Sequence, residues 1–308
     1  MKITFSRNIL SLLALVAGAS LLSSTAKASM IGPVNLGTAG NFTLLALNGD
    51  IQDSGPTGPD ATTGSVVGPI GIATAGHKFQ TSGSRIYTGP IYIHTGSTWQ
   101  SSAIGFPTPQ QSAAIDAMLA QASADAFAAS NFASSLAATA TYGNINSSLS
   151  ITEGSVGDYV FNIQSINFSG GKSLTLSAPA GSNFILNITS GSLTLSPGSI
   201  VLSGGLTPDH VLINYTGTNN ITTSGGQNSS RIYANILAPN AHVQLTPGYV
   251  AGFIIAQSIQ MASGANVVPV PEVTPSSVLL GFIGLAVAFS SRRNLMARVR
   301  AQAKVPVA

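Results

Sequence analysis

The feature that most constrains this chain is a recurrence of short strands, alternating in polarity and broken by Gly, Pro, Ser and Asn. SLTLSAPAG at 173–181 returns as SLTLSPG at 192–198, 19 residues later, and HVQLTPG at 242–248 is followed by SIQMASG at 258–264. GPIGI at 68–72 is echoed by GPIYI at 89–93, and NILAPN at 235–240 by FIIAQS at 253–258, an offset of 18. Offsets near 20 suit one coil of a β-solenoid, in which each strand stacks on its equivalent in the next coil. The two-residue period of a strand then turns Leu193 and Leu195 inward and Thr194 outward. Glycine after each strand serves the corner. A β-sandwich of short strands is the alternative that the pattern leaves open.

One segment departs from this rhythm. Residues 109–138 are Ala-rich and contain no interior Gly or Pro. Ile115, Met118, Leu119, Ala122, Phe127 and Leu136 fall on one helical stripe, and Pro109 suits a first turn. The prediction is a single long helix over about 109–140, packed along the solenoid's side as a brace.

The two ends read as sorting segments. Lys2 and Arg7 precede an apolar run from Ile9 to Leu22 and a small-residue site, Ala26-Lys27-Ala28, the pattern of a secretory signal peptide over 1–28 with a helical core. At the other end a Pro/Glu segment with Pro271, Glu272 and Val273 precedes an apolar segment, 276–291. Arg292, Arg293, Arg298, Arg300 and Lys304 follow it. The strict apolar run, 278–289, falls short of the roughly 20 residues of a comfortable span, and the arginines belong on the cytoplasmic side. This hydrophobic helix reads as a temporary membrane hold, with an ordinary C-terminal anchor as the other reading. The tripartite tail, 269–308, resembles the PEP-CTERM sorting signal of exopolysaccharide-producing Gram-negative bacteria. That resemblance implies processing by an exosortase-like enzyme, although the third motif position is Val273 rather than proline.

Composition narrows the middle, 29–268. Eight of the twelve Lys and Arg and one of the nine acidic residues, Glu272, lie in the terminal segments, which leaves four basic and eight acidic groups in the middle, a net of −4. Such a domain has no electrostatic footprint for nucleic acid. With no cysteine there is no disulfide framework, thiolate metal site or Cys nucleophile. Hydrophobic residues at 44% supply enough apolar surface to bury a core, and roughly 240 residues suit one all-β domain.

Three stretches carry a family resemblance: 36–56 (LGTAGNFTLLALNGDIQDSGP), 182–217, and most specifically 231–260 (RIYANILAPNAHVQLTPGYVAGFIIAQSIQ). They resemble the choice-of-anchor A family of adhesive domains, which is related to ice-binding-like β-solenoids. The resemblance covers about 36–267. It implies a surface or matrix protein with no catalytic residues to carry over.

Enzymatic candidates are few. Asp50, Asp53 and Asp60 form one acidic group in a Gly/Pro-rich segment. Asp50 and Asp53 are the carboxylates that a polysaccharide-active enzyme would use, and with Asn48 they are a candidate Ca²⁺ set. His77, His94, His210 and His242 lack metal-ligand spacing, and no G-x-S-x-G occurs. Trp99 and Tyr92 are candidates for stacking on a sugar. Asn187-Ile188-Thr189 and Asn214-Tyr215-Thr216 read as strand residues whose polar groups bond locally. No catalytic, cofactor or metal site is therefore expected.

The leading expectation is a non-catalytic, exported adhesive or matrix protein. Its partners would be extracellular polysaccharide or other surface proteins, with the membrane engaged through the tail before processing. Ice binding is the first alternative. An ice-binding face wants a regular ladder of small hydroxyls, whereas the outward positions read Thr175, Thr194, Gln244 and Gln260. A polysaccharide-active enzyme is the second.

Overall fold

A computed structural model describes residues 30–55, 65–83, 85–102, 106–225, 229–262 and 264–268. The signal-cleavage residues Ala26 and Ala28, the sorting residues Pro271, Glu272, Val273, Arg292 and Arg293, and Asp60 lie outside them. Among the described residues no helix is long and apolar enough to cross a membrane.

The described chain is a parallel β-solenoid with three faces and one long helix on its side. The first face stacks 158–163, Asn183–Ile188, Val211–Tyr215, 235–238, 254–256, Leu44–Ala46, Ile70–Ile72 and Ile91–Ile93. The second stacks 166–169, 193–196, Ile221–Ser224, 242–246, 258–261, Ile51–Asp53, Lys78–Thr81 and Thr98–Ser101. The third carries Leu149–Thr152, 172–177, 198–203, Arg231–Ile232, Tyr249–Ala251 and Asn266–Val268.

Coils do not stack in chain order. Ile254, Ile255 and Ala256 of the last coil pair with Leu44, Leu45 and Ala46 of the first, and Ile259 pairs with Ile51. The N-terminal coils therefore extend the C-terminal stack, and the chain must travel from one end to the other after Ser101. The helix, α1 (Ala113–Ser135), makes that journey. Its 23 residues span about 34 Å at 1.5 Å each. The seven steps between Ile91–Ile93 and 158–163 span about the same distance at a strand spacing of ~4.8 Å.

Two apolar cores result. Inside the coils, inward residues stack in files such as Leu186, Ile213, Ile236, Ile254, Leu44, Ile70 and Ile91. Between the first face and α1, the outward Ile185, Leu212, Leu237, Ile255 and Leu45 meet Leu119, Ala122, Ala126, Ala129 and Ala133. The buried helix face is mostly alanine, which lets the helix approach the sheet closely. Phe127 and Phe132 instead point outward, at 38% and 46% exposure. The expected stripe thus held for Leu119 and Ala122 and failed for Phe127. The helix is also shorter than expected. Gln110 still bridges to Tyr92 as an added strand position, Ser112 caps the first turn by accepting from Ile115 N–H, and Leu136 is already extended.

Two asparagines dock the end of α1. Asn214 Nδ2 donates to Ser130 O (3.0 Å) and Asn187 Oδ1 (2.9 Å), and Ser130 Oγ donates to Asn214 Oδ1 (2.6 Å). Asn187 Nδ2 donates to Ala133 O (2.8 Å). Both residues are fully buried. Their bonds therefore cross to the helix, where local bonding had been expected.

Three of the four sequence echoes are true neighbours: Ile70 with Ile91, Ile236 with Ile254, and Gln244 with Gln260. The fourth is not. Leu193 pairs with Ile166, while Leu174 pairs with Ile200, so the two SLTL segments lie on different faces.

Candidate binding face

The second face carries the most regular polar array. Its outward central positions are Asn167, Thr194, Thr222, Gln244, Gln260, Gln52, Gln80 and Gln100, each in register with the next. Five successive glutamines thus stand one strand apart, at about 4.8 Å. Alternation fixes their direction, since Val243, Leu245, Ile259, Met261, Ile51 and Phe79 on either side point into the core. Sequence reasoning placed Thr194, Gln244 and Gln260 correctly in one row. Thr175 belongs to the third face, opposite Val201, and Asn167 takes its place. Gln52, Gln80 and Gln100 were missed because nothing local aligns their strands with the C-terminal ones.

Beside the glutamine row a shallow groove is lined by Gly49, Asp50, Gln52, His77, His242, Ser258, Ile259 and Gln260. His242 Nδ1 lies 2.7 Å from Ser258 Oγ, and His77 Nδ1 lies 3.5 Å from Asp50 Oδ1. Asp50 Oδ1 also accepts from Lys78 N–H (2.9 Å), and Lys78 Nζ donates to Gln100 Oε1 (2.7 Å). Gly49 permits the chain to pass this corner, since a Cβ there would sit 2.5 Å from Ser258 Cβ and 3.0 Å from Gln257 O.

The proposed Ca²⁺ set does not converge. Asp50 faces solvent, whereas Asp53 points into the core at 3% exposure. Asn48 Oδ1 faces His77 Nε2 at 3.3 Å. Asp53 is committed to a buried cluster: Arg85 Nε forms an ion pair with its Oδ2, Tyr87 Oη donates to Oδ2 (2.5 Å), and Gly55 N–H donates to Oδ1 (2.9 Å). Arg85 Nη1 donates to Ala265 O (2.7 Å), so the cluster links the first coils to the last across the seam. Burial first, and the Asp53 charge second, push the Tyr87 hydroxyl far above its ordinary value. The two carboxylates suggested for glycan cleavage are on opposite sides of the solenoid wall, and the groove lining contains Asp50 as its one carboxylate.

Other candidates separate likewise. Tyr92 packs edge-to-face on Phe42 (6.3 Å) on the helix side, whereas Trp99, 43% exposed, lies on the terminal strand of the second face. His94 lies 3.9 Å from Asp116, and His210 Nδ1 lies 2.7 Å from Asn183 Oδ1. Among the described residues no three His, Cys, Asp or Glu side chains group as a metal site.

Coils stacked out of chain order, with a helix along the side, define the chain as a discontinuous β-solenoid. Residues 24–267 match the family described as "Putative Ice-binding-like adhesive domain", and the chain belongs to that family. Its fold is similar to that of an ice-binding protein (LeIBP) from an Arctic yeast (18% identity, TM-score 0.50, covering 78% of this chain and 97% of that one). It is also similar to that of an ice-binding protein from an Antarctic bacterium, Flavobacteriaceae (18% identity, TM-score 0.51, covering 78% and 48%). No curated protein sequence matches the chain.

Proposed function

We propose that this protein is a non-catalytic, exported adhesive protein of the cell surface or extracellular matrix, with the glutamine-bearing face as its contact surface. The observation that carries this reading is the unbroken row of hydrogen-bonding side chains across eight stacked strands. Such a row gives many weak contacts along one line, and their sum is large when the partner is a polymer or another surface. Residues 1–28 direct export. Residues 269–308 hold the chain at the membrane until an exosortase-like enzyme processes it. Deleting the gene should reduce attachment and biofilm, and unchanged attachment would overturn the reading. Mass spectrometry of the mature protein should find a C-terminus near Pro271 to Val273, whereas an intact tail would mean a plain anchor.

The fold shared with ice-binding proteins favours a second reading, in which the same face binds ice. Three features weigh against it. Each glutamine loses up to about 1.5–2 kcal/mol of rotamer freedom when fixed against a lattice. Asp50, Lys78 and His242 interrupt the flanking row. Small hydroxyls at the central positions are confined to Thr194 and Thr222. The expected result is no thermal hysteresis from the purified protein, and measurable hysteresis would put ice binding first.

A further inference from the structure

We propose that the glutamine row and its groove bind a neutral, extended β-1,4-linked polysaccharide whose chain runs parallel to the solenoid axis. This rests on the reading of that face as the contact surface and names the ligand that it takes.

Spacing is the first ground. Glutamines 244, 260, 52, 80 and 100 repeat once per strand. A stretched β-1,4-linked chain advances about 5 Å per sugar, close to the ~4.8 Å between strands. Successive rings therefore meet successive amides with little accumulated mismatch over three or four sugars. An α-1,4-linked chain coils and leaves such a line within a few residues.

Chemistry is the second. A primary amide offers two donors and an acceptor with two lone pairs, which suits hydroxyls that both give and take. Glutamine is also long enough to choose its partner, so the ligand need not present a fixed lattice. The groove's one carboxylate, Asp50, has Lys78 on the adjacent strand, paired in register through Ile51 and Phe79. The strip is therefore close to electroneutral, which favours an uncharged polymer over a uronic acid chain.

Shape is the third. Lining residues come from four consecutive strand positions, around 242, 258, 50 and 77. The groove thus follows the axis for about 14 Å, room for roughly three sugar rings. Affinity for a short oligomer will be weak, and a long chain will gain by engaging several repeats.

The test is calorimetric titration of the full-length protein with cellohexaose, chitohexaose and maltohexaose, each repeated with the double variant Gln52→Ala/Gln260→Ala. At least one β-1,4 hexamer should bind tenfold or more tightly than maltohexaose. The double variant should weaken it at least fivefold with its unfolding midpoint unchanged. Should that variant lose stability, Gln260→Ser alone should weaken binding at least twofold. Failure of both β-1,4 hexamers to bind, equal binding of maltohexaose, or indifference to these substitutions would overturn the proposal. Cell attachment by the same variants separates the two readings. Attachment lost without hexamer binding sinks the polysaccharide and keeps the face, whereas attachment unchanged sinks the face as well.

Discussion

Replacing Arg85 by Met tests the seam where the last coil meets the first. Arg85 is 1% exposed and its partner Asp53 3% exposed. Arg85→Met leaves the Asp53 carboxylate buried with Tyr87 Oη and Gly55 N–H but without its cation. Breaking a buried pair from one side costs about 3–5 kcal/mol, because the remaining charge is uncompensated. The hydrogen bond to Ala265 O is lost too, which leaves that carbonyl to find another partner at about 1–3 kcal/mol. Together these come to about 4–8 kcal/mol, and for a domain of this size 1 kcal/mol moves the midpoint by roughly 2–4 °C, so a fall of about 8–32 °C is expected. Differential scanning calorimetry reads the midpoint, and Asp53→Leu on the Arg85→Met background completes the cycle. Removing both charges should cost less than the sum of the single substitutions, by 1 kcal/mol or more. Hydrogen exchange should rise first in Asn266–Val268, the strand beside the Ala265 anchor. A midpoint shift under 2 °C for Arg85→Met, or strict additivity in the cycle, would refute the claim that this pair fixes the seam.

Further outcomes follow from the two cores. Asn214→Leu removes the amide that joins Ser130 to Asn187. It should cost about 2–4 kcal/mol in urea unfolding and speed hydrogen exchange selectively in the last two turns of the helix. Ala126→Leu, at a fully buried position under the helix, should destabilise by about 1–3 kcal/mol, whereas Phe127→Ser next to it should stay within about 0.5 kcal/mol. The Tyr87 hydroxyl, held above its ordinary 10.0 chiefly by burial, stays protonated in the fold after the unfolded chain has ionised. The contribution of this group to stability is therefore intact below about pH 10 and is lost as pH rises beyond it. Tyr215 and Tyr249 are raised in the same direction, so Tyr87→Phe should lessen the alkaline slope without abolishing it.

Alternation was legible at once. Leu193 and Leu195 inward with Thr194 outward is a local property, and any strand of the solenoid displays it. Which face a strand occupies is not local, and the two SLTL segments show why. Both alternate identically, yet one stacks on 166–169 and the other on 198–203. The seam was hidden for the same reason, since the pairing of Ile254 with Leu44 leaves no mark on either segment. The glutamine row was consequently visible only in the part that follows chain order. Hydrophobicity misled at the helix: Phe127 outranks Ala126 on any scale, but close packing on a sheet face selects the smaller side chain. Arg85 drew no notice in the sequence, and only the stacked coils reveal that it is enclosed, bonded to Ala265 O of the last coil.

The central claim is that contact is made through the glutamine-bearing face. Hydroxyl-radical footprinting of the protein on the cell surface, compared with the free protein, tests it most directly. Protection is expected in 242–246, 258–261, Ile51–Asp53 and Lys78–Thr81, with Phe127 and Phe132 on the helix as reactive as before. Protection concentrated on the helix or on the third face around Tyr249, with the glutamine strands unchanged, would contradict it.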